Sequence, residues 1–540
     1  MVGVRCTGIV MQPFSSRWTS QLSLMLVCGI ALVFTTTSQA QTRVLHIGNA
    51  GEPQTLDPHR YNLRLEETLL NDLFLGLTTF NAKGELVPGA AQSWTTSDDG
   101  LTWTFILRPD LRWSDGVPLT AADFVYAFRR LQDPKTAASL SYFMYMLKNA
   151  PEVNAGSLAP TELGVRAPDP QTLVLELARP YPYLLERLLY PTAFPVPKHV
   201  IDVHGERWVK PANWVSNGAY VLQDWQPQAH VAMQRNPNFH TDVAIDEVRY
   251  HPVVDERSAY NRYRTNELHA IGSFPVGELA TAPSKFGESL QVSDLLSMMY
   301  LVFNTQKAPF DKVEVRQALS LAVDQQILTE KVLRSGNKPA YSFVPQFIGG
   351  YEPAELPHKN QPLKERQQLA RELLSAAGFS KDNPLQLTLR HVSGVEGKKV
   401  NLAITGMWKQ IGVNAVLQQA ELRNHFAELR QGDFDIAWAG WVGENNPEHY
   451  LTLLQSDIGN VNYGRFKNEA YDQILREAQA MASLSARNDR LHEAEKLVVN
   501  DYAVIPLYTV AVRRLVSRDL SGWHKNLRDV HQVRYLKFLP

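Results

Sequence analysis

The chain has almost no cysteine. Of its 540 residues only Cys6 and Cys28 are cysteines, and both lie within the first forty positions. A chain that loses this segment on export has no disulfides, so a large hydrophobic core has to hold it together. Because 540 residues exceed what one core usually organises, two or three domains are expected.

An excess of basic charge and the common catalytic motifs are also missing. Lysine and arginine total 54 against 55 acidic residues, and the absence of a basic run argues against nucleic acid as a partner. There is no Gly-rich phosphate loop, HExxH, CxxC pair or GxSxG elbow. Nothing in these patterns supports an enzyme, and we expect no cofactor and no resident metal.

The N-terminus has the pattern of a secretory leader. Arg17 precedes the apolar run Leu22 to Phe34, and Ser38-Gln39-Ala40 places small residues where a signal peptidase reads the chain. A membrane-spanning helix needs roughly 20 apolar residues, and this run is shorter. We therefore predict a cleavable signal peptide over residues 1–40, with Met1 or Met11 as the start.

The leader does not have the pattern of a lipoprotein signal. Cys28 follows Met25-Leu26-Val27, whereas lipid attachment normally requires a small residue just before the cysteine. Cleavage after Ala40 leaves 52 basic residues against 55 acidic ones, a formal charge of −3. No later segment is apolar enough to span a bilayer, and we expect a soluble protein outside the cytoplasm.

Short alternations of apolar and polar residues predict strands with one buried face. Four such runs are WTFIL at 103–107, TLVLEL at 172–177, LQLTL at 385–389 and FDIAW at 434–438. Helical patterns lie between them: a helix after the capping box Thr120 to Asp123, one over 314–333, one ending at Gly378, and an amphipathic segment over 468–499. Asn217-Gly218 suits a tight turn that enters a strand. Together the runs indicate α/β lobes.

One stretch is chemically dense. AGWVGENNPEHY, at 439–450, holds Trp441, Glu444, Glu448 and His449, which suits a metal site, an acid/base pair or the wall of a ligand pocket. Zinc sites normally use three or four ligands, and one histidine with two acids in a Gly/Asn/Pro-rich loop favours a polar turn instead. The set HEAEK at 492–496 is interpreted as a solvated helix face.

The segment from Ala91 to Pro134, AQSWTTSDDGLTWTFILRPDLRWSDGVPLTAADFVYAFRRLQDP, resembles the signature of extracytoplasmic solute-binding proteins of the peptide/oligopeptide class, family 5. These are the ligand-capturing components of ABC importers. Further matches follow in the family's order: LDPHR at 56–60, NDLFLGL at 71–77, SNGAYVLQDW at 216–225, RNPNF at 235–239, NRYRTNELHA at 261–270, the segment 303–324 and FDIAWAGW at 434–441. The resemblance covers the chain from about Val44 to the C-terminus.

The resemblance implies a periplasmic-binding-protein type II-like α/β fold. Two lobes joined by a hinge enclose the ligand, and the larger lobe is subdivided, which makes three domains. By position, domain I combines 41–74, 200–295 and 513–540, domain II is the insertion 75–199, and domain III is 296–512. The implied function is capture of peptides in the periplasm and their delivery to a membrane permease by a monomer without enzymatic activity.

The resemblance also implies a site. An acidic residue after the AGW motif holds the ligand's α-ammonium, and Glu444 stands there, with Asn445 and Asn446 as hydrogen-bonding neighbours. On this interpretation, Glu448 and His449 belong to a solvated loop. Several positions differ from the family's pattern: Trp438 replaces an arginine, Arg430 lies beside Leu429 where a second arginine is expected, Lys399 lies near an expected histidine, Asn62 replaces an acid, and Ser297 and Val442 replace a cysteine pair.

Losing the arginine at 438 leaves the ligand class open. An arginine that binds a carboxylate bidentately is not replaced by tryptophan without changing what is bound. Trp438 and Trp441 offer stacking or cation–π surfaces, yet in a regular strand they point to opposite faces, so one of them can be core. Trp438 faces the ligand only by analogy. The alternatives to a peptide are an opine, a modified peptide, an amine or a sugar conjugate on the same fold, and then a metal-dependent hydrolase.

Overall fold

The structure is a computed structural model that describes residues 43–279 and 281–540. The predicted signal peptide lies outside the described residues. The described residues form one compact unit. Its strands are organised in three main sheets, and none of the helices within the described ranges is long and apolar enough to cross a membrane.

The first main sheet has seven strands drawn from distant parts of the chain. Their order is Leu290–Asp294, Ala511–Val516, Ala270–Ile271, Val44–Asn49, Glu247–Pro252, His230–Arg235 and Tyr220–Gln226. The strand Val44–Asn49 runs parallel to both of its neighbours, and the other pairs are antiparallel.

The second sheet is antiparallel and lies wholly within the segment 75–199. Its order is Ala91–Thr96, Thr102–Leu107, Thr172–Glu176 and Val165–Asp169, which confirms the first two predicted strands. Its buried face, with Phe105 and Leu173, packs into the same hydrophobic core as Leu45 and Val248 of the seven-stranded sheet. These two sheets therefore form one body, which we call the first lobe (43–294 and 511–540).

The third sheet has six strands and forms the second lobe (297–509). Its order is Lys338–Pro339, Val504–Thr509, Ser297–Phe303, Ile436–Val442, Leu385–Val392 and Val413–Ala420. Both faces are covered, because Tyr300 packs into one core while Leu301 and Phe303 pack into another. The predicted strands at 385 and 434 are confirmed, the second starting at Ile436.

Two adjacent crossings join the lobes. Leu290–Asp294 continues into Ser297–Phe303, and Val504–Thr509 continues into Ala511–Val516. The Leu295 amide donates a hydrogen bond to the Val510 carbonyl at 3.0 Å, so the crossings run side by side. Such a pair of neighbouring strands is a suitable hinge.

Helices cover the sheets, and short two-stranded ladders complete the fold. The ladders pair Thr78–Phe80 with Leu86–Pro88 and Leu520–Ser521 with Lys537–Phe538. The α-helices are Arg64–Leu73, Ala121–Gln132, Ala150–Asn154, Leu184–Arg187, Lys198–His204, Glu256–Arg264, Ala282–Phe286, Val313–Leu321, Leu363–Ala376, Val395–Lys409, Leu422–Gln431, Glu448–Leu451, Glu469–Gln479 and Leu484–Asp501.

Two helix predictions are confirmed as made, and two further helical stretches are each interrupted by a break. The capping box forms at Thr120, and Gly378 follows the end of Leu363–Ala376 with φ +94°. The helical stretch predicted over 314–333 consists of the α-helix Val313–Leu321 and a π-helical segment, Ile327–Leu333, because Asp324 Oδ1 accepts the Ile327 amide and a new helical segment begins there. The segment predicted over 468–499 is likewise two helices, the second capped by Ser483.

Asn217-Gly218 joins the edge strand Tyr220–Gln226 to the helix Arg64–Leu73. The Asn217 side chain accepts from the Leu75 amide at 3.1 Å and donates to the Leu75 carbonyl at 2.8 Å. The Gly218 amide donates to the Leu73 carbonyl at 2.9 Å, and a Cβ on Gly218 would lie 2.3 Å from the Leu73 carbonyl carbon. The glycine is required by this close approach of two backbones rather than by the predicted tight turn.

Candidate ligand-binding site

A cavity of about 1190 Å³ lies between the two lobes. The first lobe contributes Arg64, Glu67 and Phe80, aromatic residues of 142–190, and Arg528. The second lobe contributes residues 441–443, Asn446, Glu448, His449 and the turns that follow them. A cavity walled by both sides of a hinge suits a ligand that is enclosed when the lobes close.

The wall from the second lobe is built by the strand Ile436–Val442 and the loop after it. This strand pairs with Ser297–Phe303 in the middle of the six-stranded sheet, Met298 opposite Trp441. The Gly443 amide donates to the Leu296 carbonyl at 2.8 Å, which directs the loop toward the cavity. Trp441 lines the cavity, and its ring lies 5.6 Å from that of His449, nearly perpendicular to it.

Glu444 is fully buried and carries a counter-ion from the other lobe. Its Oε1 lies 2.9 Å from Nη1 of Arg187, on the helix Leu184–Arg187 of the first lobe. The Glu444 amide donates to His449 Nδ1 at 3.2 Å, which requires a lone pair on that nitrogen. Burial alone would raise the pKa of Glu444, but the charges of Arg187, His449 and Arg528 together outweigh burial and hold the pKa below its usual range.

The prediction that Glu448 and His449 lie in a solvated loop is wrong. Glu448 is only 5% exposed and forms an ion pair with the buried Arg487. A second guanidinium, that of Arg179, lies 3.9 Å from Glu448 Oε1. Burial lowers the pKa of His449, which lines the cavity. The loop is buried because distant arginines supply its counter-charges, and the loop sequence alone does not show them.

Further contacts join the two lobes beside the Arg187–Glu444 ion pair. The Tyr183 hydroxyl donates to Asn488 Oδ1 at 2.8 Å in a buried position. The Arg487 guanidinium lies 5.5 Å from the centre of the Tyr183 ring, a cation–π distance. The segment around the helix Leu184–Arg187 is therefore attached to the second lobe by polar contacts at several points.

Both predicted asparagines lie near the cavity wall. Asn446 is buried and lines the cavity, and its Oδ1 accepts the Glu448 amide at 2.9 Å. Asn445 Oδ1 accepts the Gly349 amide at 2.9 Å. The amide oxygens therefore stabilise the loop, which leaves the side-chain NH₂ groups as donors.

The two tryptophans lie on opposite faces of their strand. Trp441 packs against the core that contains Tyr300, whereas Trp438 packs against the core that contains Leu301 and Phe303. Trp438 is not among the residues that line the cavity. The prediction that Trp438 faces the ligand, made by analogy with the missing arginine, is therefore wrong. Trp441 faces the cavity instead, because side chains three residues apart on a strand point to opposite faces.

Three further predicted residues lie away from this cavity. Lys399 is exposed on the helix Val395–Lys409, Arg430 is exposed near the end of Leu422–Gln431, and Asn62 is exposed before the helix Arg64–Leu73. None of them lines the cavity. Their assignment rested on positional analogy, and the structure does not bring them together with Glu444.

The first-lobe wall was not predicted from the sequence. It is aromatic and cationic: Tyr142, Phe143, Tyr145, Tyr181 and Tyr190 line the cavity together with Arg179, Arg187 and Arg528. Arg528 forms an ion pair with Glu186, and the Arg187 guanidinium lies 4.8 Å from the centre of the Phe143 ring. The signal was the density of tyrosine and arginine in SYFMYM at 141–146 and RPYPYLLERLLYP at 179–191.

The dense stretch does not have the arrangement of a metal centre. Within the described ranges, no group of three or more His, Cys, Asp or Glu side chains is placed to hold a metal ion. Glu444 and Glu448 each pair with an arginine instead. Carboxylates neutralised in this way suit the wall of a polar pocket.

Known proteins resemble this chain over nearly all of its length. It is 35% identical over 491 residues to the periplasmic oligopeptide-binding protein of Salmonella typhimurium, covering 90% of each chain. It is also 35% identical over 532 residues to the periplasmic murein peptide-binding protein of Escherichia coli, covering 97% of this chain and 96% of that one. A third relative, 32% identical over 495 residues, is the probable deoxycholate-binding periplasmic protein of Escherichia coli.

Solved structures show the same fold. The unliganded open form of the periplasmic murein tripeptide binding protein matches with a TM-score of 0.83 and 34% identity, covering 92% of this chain and 98% of that one. The Haemophilus influenzae oligopeptide-binding protein in complex with RPPGFSPFR matches with a TM-score of 0.74 and 32% identity, covering 93% and 99%.

These structural matches confirm the expected type II binding-protein fold with its two lobes. The model of the bacterial extracellular solute-binding proteins, family 5 (middle), matches residues 85–462, a range that holds all of the sequence motifs except the two at 56–60 and 71–77. This is a family of substrate-binding proteins, and its relatives are periplasmic. The chain belongs to the family 5 bacterial extracellular solute-binding proteins.

Proposed function

We propose that this chain is the periplasmic substrate-binding component of an ABC importer, which captures peptides between its lobes and delivers them to a membrane permease. The observation that carries the proposal is the cavity of about 1190 Å³, which is walled by both lobes and by Leu295 and Leu296 at one of the crossings between them. Relatives that cover nine-tenths of the chain are named for binding oligopeptides and murein peptides.

The shape and lining of the cavity support a short peptide as ligand. Aromatic rings from the first lobe and Trp441 from the second provide apolar walls. Extended peptides are commonly held through main-chain hydrogen bonds, with pockets for side chains. The resemblance places the anchor for one end of the ligand at Glu444, Asn445 and Asn446. We expect these residues to determine which chemical group at that end of the ligand is bound.

We also propose three domains with the boundaries 41–74 plus 200–295 plus 513–540, 75–199, and 296–512. The distribution of strands supports this division, because each main sheet draws its strands from one of the three sets. The strand Ala511–Val516 begins two residues before the proposed boundary. The hinge would lie at the crossings near Leu295 and Val510.

Cellular location and partners belong to the same proposal. Cleavage after Ala40 would release the protein into the periplasm without a lipid anchor. It would act as a monomer, meet the permease complex in the inner membrane, and catalyse no reaction. The periplasmic relatives support the location.

A second ligand class keeps the fold and changes the cargo. Trp438 stands where the resemblance expects a carboxylate-binding arginine, and a relative of similar identity is named as a probable deoxycholate-binding protein. An opine, a modified peptide, an amine or a sugar conjugate would then occupy the cavity. Mass spectrometry of ligand that co-purifies with the protein separates the two classes, since a ladder of plain peptides rules out the second.

The strand with two tryptophans offers a matched test of peptide capture. Residues 41–540 are titrated with a mixture of tri- to pentapeptides while thermal unfolding and tryptophan fluorescence are recorded. We expect peptide to raise Tm, Trp441→Leu to weaken binding at least tenfold, and Trp438→Leu to lower stability with unchanged affinity. Equal loss of affinity in both variants, or no peptide effect on the parent protein, would contradict the proposal.

A further inference from the structure

The carboxylate expected to bind a ligand ammonium already has a cation from the chain itself. Glu444 is 0% exposed, and Nη1 of the Arg187 guanidinium lies 2.9 Å from Glu444 Oε1. Arg187 lines the cavity with 12% of its side chain exposed, whereas Glu444 does not line it. The group that a ligand meets at this position is therefore a guanidinium.

Arg187 is held in place by several neighbours. Its Nη2 donates to the Tyr181 hydroxyl at 3.2 Å, and its guanidinium lies 4.8 Å from the centre of the Phe143 ring. Its Nε is buried without a hydrogen-bond partner among the described residues. Burial lowers the pKa of Arg187, but Tyr181 and Glu444 outweigh burial and raise it above its ordinary value, so the side chain stays charged.

The neighbouring acids offer an ammonium no alternative partner. Glu186 pairs with Arg528, and Glu448 pairs with Arg487 and approaches Arg179. The nearest imidazole, His449, accepts the Glu444 amide on Nδ1, and burial lowers its pKa.

One further cavity acid, Glu67, lies on the helix Arg64–Leu73 and forms no ion pair within the described ranges. Burial raises its pKa, which favours the neutral acid. Binding of a ligand ammonium at Glu67 is therefore the competing arrangement, which the variant Glu67→Gln tests.

We propose that this chain selects ligands whose end at the Arg187–Glu444 pair carries an acyl carbonyl or a carboxylate instead of a free ammonium. Arg187 would bind that oxygen, and Glu444 would act as a positioning residue that holds the guanidinium. A guanidinium has five N–H donors and binds carboxylates bidentately, whereas an ammonium beside it meets a like charge. This inference rests on the proposed capture of peptides and names the class of peptide.

Three forms of one short peptide, such as Ala-Phe-Ala, test the proposal by calorimetry on residues 41–540. The forms have a free amine, an N-acetyl group or an N-succinyl group. We expect the parent protein to bind at least one blocked form at least tenfold more tightly than the free amine. The acetyl and succinyl arms separate recognition of an acyl oxygen from recognition of a carboxylate.

Exchange of the arginine should reverse the preference. In Arg187→Leu the Glu444 carboxylate becomes available, so the free amine should gain at least tenfold while the blocked forms lose affinity. Adding Glu444→Gln to that variant should abolish the gain. Arg166→Leu is the control: its side chain is exposed on the strand Val165–Asp169 of the same lobe, and its exchange should change neither affinity.

Two outcomes would overturn the inference, and they are distinguishable. In the first outcome the parent protein prefers the free amine tenfold, and this preference is lost in Glu67→Gln or is unaffected by Arg187→Leu. That result refutes the proposed selection of blocked peptides, while the proposed capture of peptides stands. Failure of all three peptides to bind the parent protein removes the proposed function, and the inference with it. Thermal unfolding of each variant confirms that the compared proteins are folded.

Discussion

The ion pair between Arg187 and Glu444 permits a test of the site that needs no ligand. The perturbation is a double-mutant cycle with Glu444→Gln, Arg187→Met and the two together. Glutamine keeps the shape and one acceptor oxygen but removes the negative charge, and methionine keeps much of the arginine's apolar stem. The cycle isolates the energy by which the two side chains depend on each other.

The expected magnitude follows from burial. Removing one partner of a fully buried ion pair typically costs about 3–5 kcal/mol, because the other charge is left without compensation. Here Glu444 is fully buried but Arg187 lines a large cavity, so water partly solvates the guanidinium once its partner is lost. We therefore expect Glu444→Gln to lower the free energy of unfolding by about 2 kcal/mol, with a coupling energy of about 1–2 kcal/mol.

The assay is urea unfolding of residues 41–540 followed by tryptophan fluorescence at pH 7 and pH 3. Because the pKa of Glu444 is lowered in the folded state, the unfolded state protonates first as pH falls. The stabilisation is thus present at pH 7 and is lost below the ordinary pKa of 4.5. The exposed pair Lys198–Asp202 is the control, whose removal should cost under about 0.5 kcal/mol. A coupling no larger than that control would refute the buried, charged pair.

Two further predictions concern stability elsewhere. His358 is buried against Tyr502, and neither of its ring nitrogens has a hydrogen-bond partner among residues 43–279 and 281–540; burial, together with Arg366, lowers its pKa to about 4. The parent protein should therefore lose about 3 kcal/mol of its free energy of unfolding through His358 as pH falls from 6.5 to 4, and His358→Phe should abolish this part of the pH dependence. An unchanged dependence of stability on pH in the variant would contradict this. Gly218→Ala should destabilise by about 2–3 kcal/mol, since its Cβ would meet backbone atoms, whereas Gly406→Ala, in open space on an exposed helix face, should stabilise by about 0.5–1 kcal/mol. Equal Tm shifts for the two glycine variants would contradict the close approach.

Local structure was largely predictable where a few neighbouring residues decide it. Alternation of apolar residues placed the strands Thr102–Leu107, Thr172–Glu176 and Leu385–Val392, because the period of two reports which face is buried. The capping box at Thr120 likewise depends on residues only three apart. Where two helices share one apolar pattern, as over 468–499, periodicity did not reveal the break, since a cap such as Ser483 changes the backbone without changing the pattern.

Function at the level of the family was also available from the sequence, because many motifs recur in one order along the chain. That order predicts that the stretch from Ala439 to Tyr450 lies in a binding site, and it singles out Glu444. It does not say what faces Glu444, since the aligned segments carry no information about contacts across the cavity.

The tertiary structure decided the chemistry of the site. It turned Trp441 to the cavity and Trp438 to a core, which alternation had left open. It also brought Arg187 from the first lobe and Arg487 from a later helix to the two acids of the loop. Charge pairing of this kind depends on distance in space, and burial reduces the screening of each pair by water. The sequence alone therefore determined the fold family and the location of the pocket, while the folded chain decided which charges the pocket presents.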